Sequence, residues 1–393
     1  MTTALSNIYG RLPVAFTHGQ GVWLWDTEGK RYLDGLSGIG VSCLGHAHPG
    51  LVKAISDQAA KVIHTSNIYQ IPLQEQLAQR IVAISGMTEV FFGNSGAEAN
   101  EGAIKLARMF GHIKGIKVPT IISMESSWHG RTLGTLAATG SEKARKGFEP
   151  LPEGFVQVRY NSLQAIEDAA SKCPDVVAVL IEVLQGEGGI RPSDMQYLRQ
   201  LRALCDERGW LLMIDEVQSG IGRTGKWLAH QWAEILPDVI TLAKGLGGGV
   251  PIAAVGARGP AANVLKPGHH GTTFGGGPLV CAAGLAVFDA IESEGLLENA
   301  LTVGNHMKAR LQEALKGIEG VREVRGMGLM LGIELAKPCA ELVRHALDAG
   351  LLINVTRDSV VRLLPPLILD MNQANQIVDT LVPLIEQFLD PKA

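Results

Sequence analysis

Two residues that follow neighbouring apolar runs could carry out chemistry together. Asp215 follows the run 210–214, and Lys244, 29 positions later, follows the run 239–243. A lysine amine can bond covalently to a carbonyl carbon, and a carboxylate can hold a ring nitrogen in its protonated form. Pyridoxal phosphate chemistry needs these two protein groups most. Either residue alone is more often a solvated strand end, so this interpretation depends on what else lies nearby.

A glycine-containing loop offers a place for the phosphate. Ser95 can cap the helix that follows it, and the first N–H groups of that helix, at Gly96 and Ala97, form an anion site. In isolation, an ordinary serine cap is the simpler interpretation. Gly93 and Gly96 permit the close approach that a phosphate needs, which favours the anion site.

Two further loops carry an aromatic ring and charged groups. Trp128 could stack on a planar ring, although a core position is the usual place for tryptophan, and Arg131 offers a bidentate fork to a carboxylate. His129 is interpreted as a structural hydrogen-bonding residue. Glu187, in the glycine-rich segment 182–189, could pair with a mobile arginine or could be a solvated turn residue.

Two later segments add hydroxyl groups and a cation. Thr272 and Thr273 lie in the glycine-rich segment 271–277, where the backbone is flexible. Arg362 interrupts the apolar segment 360–364, and a buried charge needs a partner. A structural ion pair and a binding role are both open for Arg362.

Composition limits the classes of function. With 393 residues, 46% of them hydrophobic and 19% charged, we expect a two-domain α/β protein. A net charge of −4 without a basic run gives no sign of nucleic-acid or membrane binding. The five cysteines are widely spaced without a Cys-x-x-Cys pair, which predicts reduced thiols. Because neither a secretory signal nor a membrane-spanning stretch is visible, we expect a soluble cytoplasmic protein.

Competing sites find little support. Two pairs of histidines, His46 with His48 and His269 with His270, are close in sequence. They lack the helical i, i+4 spacing and the third ligand of a zinc site, so we expect no metal. The sequence contains no Gly-x-Ser-x-Gly elbow, Gly-x-Gly-x-x-Gly fingerprint or Walker A loop. Esterase, dinucleotide-binding and nucleotide-triphosphatase functions are therefore not indicated.

Apolar runs alternate with helical patterns between about residues 49 and 257, which predicts a mainly parallel sheet with helices on both faces. Ligands of such sheets lie beyond the carboxyl ends of the strands, where Asp215 and Lys244 fall. The predicted strands are 90–92, 120–124, 176–181, 210–214, 239–243 and 252–255, and the predicted helices include 97–110 and 196–208.

The last third of the chain has another pattern. One long helical stretch at 282–315 is followed by strands near 352–354 and 360–364 and by a final helix at 372–388. This predicts a smaller α+β domain that packs with the N-terminal segment. We expect an N-terminal segment (1–45), a large domain (46–280) and a small C-terminal domain (281–393).

Assembled in this way, the sequence resembles the class-III, ornithine-type aminotransferases of fold type I, which depend on pyridoxal phosphate. The resemblance extends from end to end, and its motifs together are highly specific. It implies a mainly parallel seven-stranded sheet in the large domain and a homodimer with active sites at the interface. The motifs are residues 21–26, 45–49, 94–101, 129–132, 185–189, 215–225, 243–249, 271–276 and 325–329.

The resemblance implies roles around the cofactor. Lys244 would form the covalent bond to pyridoxal phosphate, and Asp215 would contact its pyridine nitrogen. Ser95, Gly96 and Ala97 would surround the phosphate. The other expected cofactor contacts are Trp128 stacked on the ring, Val217 packed against it, Gln218 facing the phenolic oxygen and Thr273 of the partner subunit at the phosphate.

The resemblance also implies how substrates are held. Arg131 would bind the carboxylate of acetylornithine, and Tyr9 and Thr272 would line the substrate mouth. Glu187 would pair with Arg362. Glutamate would displace Glu187 and place its α-carboxylate on Arg362.

Within this family the acetylornithine branch is the most similar, on account of segments 204–206 and 215–225 and the compact length. That branch transfers the terminal amine of N2-acetyl-L-ornithine to 2-oxoglutarate, a step of arginine biosynthesis. Trp128, Val183 and Gly277 depart from the usual Phe, Pro and Asn and leave the preferred amine open. Ornithine, succinylornithine and 4-aminobutyrate are alternative amino donors, and a glutamate-semialdehyde aminomutase or a dialkylglycine decarboxylase would be a different reaction class.

Overall fold

The computed structural model describes residues 4–390 of the chain. Its strands belong to one large sheet, two four-stranded sheets and a two-stranded ribbon. In chain order the strands are β1 (Phe16–Gln20), β2 (Trp23–Asp26), β3 (Arg31–Asp34), β4 (Glu89–Gly93), β5 (Thr120–Met124), β6 (Phe155–Val158), β7 (Val176–Ile181), β8 (Leu184–Gln185), β9 (Arg191–Pro192), β10 (Leu211–Asp215), β11 (Val239–Leu242), β12 (Ala253–Ala257), β13 (Val321–Met327), β14 (Met330–Leu335), β15 (Leu351–Leu352), β16 (Asn354–Thr356) and β17 (Val360–Leu363).

The large sheet has seven strands in the order β4-β12-β11-β10-β7-β5-β6, and only β12 runs against its neighbours. Strands β7 and β10 are buried along their whole length because both faces of the sheet are covered. Leu180 packs in the same apolar cluster as Leu106, whereas Ile181 packs with Leu198 on the other face. The predicted mainly parallel seven-stranded sheet is confirmed.

Sequence patterning missed β6, which lies at the edge of this sheet. Three of its four residues are only partly buried, and Gln157 lies within the short apolar segment. Gln157 donates to the carbonyl of Ala137 at 2.8 Å and to Ser123 at 3.3 Å. A polar residue in an edge strand interrupts the hydrophobic run from which the other strands were predicted.

The single long helix predicted at 282–315 is wrong, because the chain forms two helices there. They are separated at Gly295, whose φ of 63° is left-handed. The helices are α1 (Ser37–Gly40, a short helical turn), α2 (Pro49–Ala59), α3 (Pro72–Ser85), α4 (Gly96–Ile113), α5 (Leu133–Ala138), α6 (Glu142–Arg145), α7 (Leu163–Lys172), α8 (Met195–Arg208), α9 (Pro278–Ser293), α10 (Leu296–Ala314), α11 (Leu342–Asp348) and α12 (Met371–Leu389).

An N-terminal segment and a strand from the C-terminal part of the chain meet in a smaller sheet. Strands β2 and β3 form a hairpin near the N-terminus, and β15 from the C-terminal part joins β3 in parallel. A second small sheet, β13-β14-β17-β16, is antiparallel throughout. The domain boundaries at residues 45 and 280 stay predictions. Across residues 4–390, no helix is both long and apolar enough to cross a membrane.

Candidate active site

A cavity of about 450 Å³ lies at the carboxyl edge of the large sheet. Asp215 ends β10, and its register partner on the parallel strand β11 is Thr241, three residues before Lys244. Lys244 leaves β11 with a left-handed φ of 45°, a backbone conformation that costs free energy outside glycine. Ten of the residues predicted for the site line this cavity: Ser95, Gly96, Ala97, Trp128, Arg131, Glu187, Asp215, Val217, Gln218 and Lys244.

The carboxylate of Asp215 is held by three neighbouring groups at the wall of the cavity. Its Oδ2 accepts from Asn100 Nδ2 at 2.8 Å and lies 2.8 Å from His129 Nδ1, and its Oδ1 accepts from the Val217 N–H at 3.0 Å. Thr241 donates to Asn100 Oδ1 at 2.9 Å and so orients the amide. We call Asn100, His129, Asp215 and Thr241 the floor network.

The floor network determines which nitrogen of His129 carries the proton. A carboxylate only accepts hydrogen bonds, so Nδ1 of His129 donates to Asp215. Nε2 of the same ring is buried and has no partner among the described residues. His129 therefore acts on Asp215 as an orienting donor, the arrangement by which outer residues fix the position of a reactive group.

The amine of Lys244 lies in a desolvated position, and burial lowers its pKa to about 8. The positive charge of Arg362 lowers this pKa further, whereas the carboxylates of Glu187, Asp215 and Glu182 oppose the shift. Near neutral pH a useful fraction of the amine is therefore uncharged. Only the uncharged amine can act as a nucleophile or take a proton.

Glu182, which was not among the predicted site residues, also lines this cavity. Burial raises the pKa of its carboxyl to about 7, and Asp215 raises it further, while the charge of His129 opposes the shift. The N–H groups of Trp128 and Gly186 donate to its two oxygens at 3.0 and 3.2 Å. A strand-end glutamate is visible in the sequence, but its nearness to Asp215 depends on the fold.

Helix α4 directs its N-terminus at the cavity. The Ser95 hydroxyl accepts from the Glu98 N–H at 3.2 Å, and the Glu98 carboxylate accepts from the Asn94 N–H at 2.6 Å. The N–H groups of Gly96 and Ala97 have no acceptor within residues 4–390, which leaves them available to an anion. The phosphate, the ring nitrogen and the aldehyde of pyridoxal phosphate thus have matching groups around one cavity.

Trp128 and Arg131 stand together at the more exposed side of the cavity. The guanidinium carbon of Arg131 lies 4.4 Å from the centre of the Trp128 ring, a cation–π contact. Arg131 is exposed, so its charge is available to a ligand. The Trp ring thus supports the arginine as well as forming part of the cavity wall.

Glu187 and Arg362 form an ion pair on the side of the cavity that faces the antiparallel sheet. Arg362 Nη1 donates to Glu187 Oε1 at 2.6 Å. Arg362 is almost completely buried, whereas about a third of the Glu187 side chain is exposed, at 32%. The loop beside this pair is tightly packed, since a Cβ on Gly186 would fall 2.0 Å from the Gln218 Oε1 atom.

Four predicted residues lie outside the cavity lining: Arg362, which adjoins the cavity through Glu187, and three others. Thr272 accepts from Asn94 Nδ2 at 3.0 Å and so lies beside the loop that precedes α4. Thr273 is exposed, and Tyr9 is 71% exposed. Their roles, like those of the other site residues, stay predictions.

Sequence comparison defines the class of the protein. The class-III aminotransferase family matches residues 5–385, so the chain belongs to that family. Acetylornithine aminotransferase 1 of Bordetella bronchiseptica is 69% identical over 99% of both chains, and acetylornithine aminotransferase of Nitrosomonas europaea is 54% identical over 98% of both. These full-length matches also support the acetylornithine branch as the most similar one.

Solved structures of the same family have the same fold. The ornithine aminotransferase of Toxoplasma gondii ME49 matches with a TM-score of 0.95 at 31% identity, covering 99% of this chain and 94% of that one. The acetylornithine aminotransferase of Elizabethkingia anophelis matches with a TM-score of 0.87 at 34% identity, covering 98% and 96%. The predicted family, fold type, aminotransferase class and pyridoxal phosphate cofactor are confirmed.

Proposed function

We propose that this protein transfers the terminal amine of N2-acetyl-L-ornithine to 2-oxoglutarate, which gives N-acetyl-L-glutamate 5-semialdehyde and L-glutamate. The names of the relatives that are 69% and 54% identical over the full chain support this reaction. The observation that carries the proposal is structural: one arginine, Arg131, lines the cavity and is open, and a second, Arg362, lies directly behind the cavity-lining Glu187 and is covered by it.

One open and one covered arginine suit two substrates, of which only one has a carboxylate on its reacting carbon. The terminal carbon of acetylornithine bears no carboxylate, so Glu187 stays on Arg362 and neutralises it. The reacting carbon of glutamate bears the α-carboxylate, which would replace Glu187 on Arg362 in the bidentate geometry that arginine favours. Arg131 would hold the remaining carboxylate in both cases. We call Glu187 and Arg362 the gate.

The residues around the cavity would hold the cofactor in a defined orientation. Gly96 and Ala97 would bind its phosphate, Asp215 would keep its pyridine nitrogen protonated, and Trp128 and Val217 would pack against its ring. Pyridoxal phosphate, when bound, supplies an electron-poor ring that accepts the electron pair left when a substrate carbon loses its proton.

Lys244 is the residue that would move protons in this reaction. Its Nζ would bond to the cofactor before substrate arrives and, once released, take the proton from the reacting carbon of the amine. The lowered pKa of Lys244 favours the uncharged amine that this step needs. The floor network keeps the Asp215 carboxylate oriented throughout, so charge develops against a fixed counterion.

We further propose that the active protein is a cytoplasmic homodimer in which Thr273 completes the phosphate site of the partner. Large apolar side chains near Thr273 and near the N-terminus are exposed on the single chain. Such exposure is expected of a surface that a partner subunit covers in the dimer. Substitution of Phe274 with Asp should shift the mass found by sedimentation from dimer to monomer and lower cofactor retention. The exposed side chains are Ile8 79%, Tyr9 71%, Ile63 58%, Ile68 84%, Tyr69 67% and Phe274 66%.

Ornithine is the second candidate amino donor, because ornithine aminotransferases are among the structural neighbours with the same fold. Steady-state kinetics with acetylornithine, succinylornithine, ornithine and 4-aminobutyrate, each with 2-oxoglutarate, would separate the candidates. We expect the highest kcat/KM with acetylornithine. A higher value with another of the four amines would replace acetylornithine in the proposal.

A further inference from the structure

Strand β16 contacts both members of the gate. Asn354 and Thr356 are two positions apart, so their side chains lie on the same face of the strand. Asn354 is the direct register partner of Arg362 on β17. Thr356 donates from Oγ1 to the main-chain oxygen of Glu187 at 2.6 Å. The arginine and the glutamate are thus both connected to one short strand.

When Glu187 leaves the gate, Arg362 loses one of its hydrogen bonds and keeps two others. Asn354 Oδ1 accepts from Nε of Arg362 at 3.0 Å, and Gln218 Oε1 accepts from Nη1 at the longer distance of 3.3 Å. The same Nη1 also donates to Glu187 Oε1 at 2.6 Å. On the other side of β17 the register partner of Arg362 is Gly332, which has no side chain to offer. Once Glu187 leaves, Asn354 makes the shorter of the two contacts that remain.

We infer that Asn354 is a positioning residue for substrate specificity. It fixes the guanidinium plane of Arg362, so that Nη1 and Nη2 both point toward a carboxylate of the dicarboxylate substrate after Glu187 departs. This inference rests on the proposed role of Arg362 as a carboxylate site. Nη2 donates to no residue in the described part of the chain and is available to pair with Nη1. With Nε occupied by Asn354, only the end of the guanidinium is offered.

Thr356 completes the arrangement from the side of the glutamate. Because its hydroxyl holds the main chain of Glu187, opening of the gate is confined to the Glu187 side chain. Asn354 matters only while Arg362 is uncovered, which is the state that glutamate and 2-oxoglutarate require. The acetylornithine state keeps Glu187 on Arg362 and does not depend on Asn354.

The test compares two variants that remove the acceptor, Asn354→Ala and the nearly isosteric Asn354→Leu, in the protein loaded with cofactor. Val355→Ala, whose side chain points to the other face of the same strand, is the matched control. Calorimetry measures the dissociation constants of glutarate, a dicarboxylate that cannot react, and of valerate, which has one carboxylate. Arg362→Ala is measured alongside.

Both Asn354 variants should bind glutarate roughly tenfold more weakly, because an arginine that is not held must be ordered by the ligand. In both Asn354 variants, the dissociation constant of valerate and the KM for acetylornithine should change less than about twofold. In the control Val355→Ala, the dissociation constant of glutarate should also change less than about twofold. If Arg362→Ala weakens glutarate but neither Asn354 variant does, Asn354 has no positioning role. Equal losses for glutarate and valerate would show a merely structural role and overturn the inference. Unchanged glutarate binding in Arg362→Ala would refute the proposed carboxylate site itself.

Discussion

The floor network and the gate are both buried charge systems beside the same cavity, but they are built differently. Within residues 4–390, the Asp215 carboxylate has three hydrogen-bonding neighbours, in α4, in the loop after β5 and directly after β10, and one of them, Asn100, is itself fixed by Thr241. Among residues 4–390, the Glu187 carboxylate hydrogen-bonds to Arg362 alone, and its side chain is partly exposed. A carboxylate with several fixed donors keeps its place, whereas one with a single partner and access to solvent can leave it.

The largest effect should come from the residue between these two systems. Lys244→Ala should lower turnover on the order of 10⁴-fold, since it removes both the covalent bond to the cofactor and the proton carrier. The protein should still bind pyridoxal phosphate but lack the absorbance of the covalent bond. Lys53→Ala, at an exposed ion pair with Asp57, is the control and should leave turnover unchanged. Near-normal turnover in Lys244→Ala would contradict the assignment.

The second effect tests the rigidity of the floor network. Asp215→Asn should lower turnover by on the order of 10²–10³-fold, because a neutral amide no longer favours the protonated ring nitrogen. The amide also replaces one of the two acceptor oxygens with a donor, so either the Val217 N–H or the pair Asn100 and His129 loses its acceptor, and unfolding in denaturant should become easier by roughly 1–3 kcal/mol. Asp206→Asn, an exposed partner of Arg202, should change neither quantity. Wild-type turnover in Asp215→Asn would remove the electron-sink role.

The third effect separates the gate from the open arginine. Arg362→Ala should weaken glutamate and 2-oxoglutarate by roughly ten- to hundredfold and leave acetylornithine nearly unchanged, whereas Arg131→Ala should weaken both amino donors. Glu187→Ala should show the reverse bias, with easier glutamate binding and poorer discrimination. Single-turnover spectra of each half-reaction measure these differences. Equal losses in both half-reactions for Arg362→Ala would show that the gate does not operate.

The smallest effect concerns pH, where Arg362 and the carboxylates of Glu187 and Asp215 act on the pKa of Lys244 in opposite directions. With its pKa lowered to about 8 by burial and then by Arg362, the fraction of uncharged Lys244 rises with pH and reaches half near pH 8. The rate at which cofactor-free protein captures pyridoxal phosphate should follow this fraction. In Arg362→Ala the pKa of Lys244 should rise and the midpoint should move to higher pH. A midpoint near 10 in the wild-type protein would contradict the desolvated position.

Much of this site could be predicted from sequence because strand ends in a parallel sheet meet at one edge. Asp215 and Lys244 each follow an apolar run, so their meeting required only that both runs be strands of the same sheet. Ser95 before α4 was predictable in the same way, because capping is a local pattern.

The supporting residues could not be predicted in this way. Asn100 is 115 positions from Asp215 and appears in the sequence as one more polar residue of a helix. Asn354 meets Arg362 only through the pairing of β16 with β17, which short strands do not specify by pattern. The break at Gly295 was missed because helical periodicity continues on both sides of it. Long-range partners depend on tertiary packing, which single-sequence patterns do not contain.

The packing around Gly186 has an evolutionary consequence. A side chain at this position would collide with the amide of Gln218, so the loop that carries Glu187 cannot gain a new substituent without moving a residue predicted to contact the cofactor. A side chain at position 186 can therefore become established only together with a second change at Gln218. Directed evolution of the Glu187 loop should accordingly randomise codons 186 and 218 together, because either change alone meets the other residue unchanged.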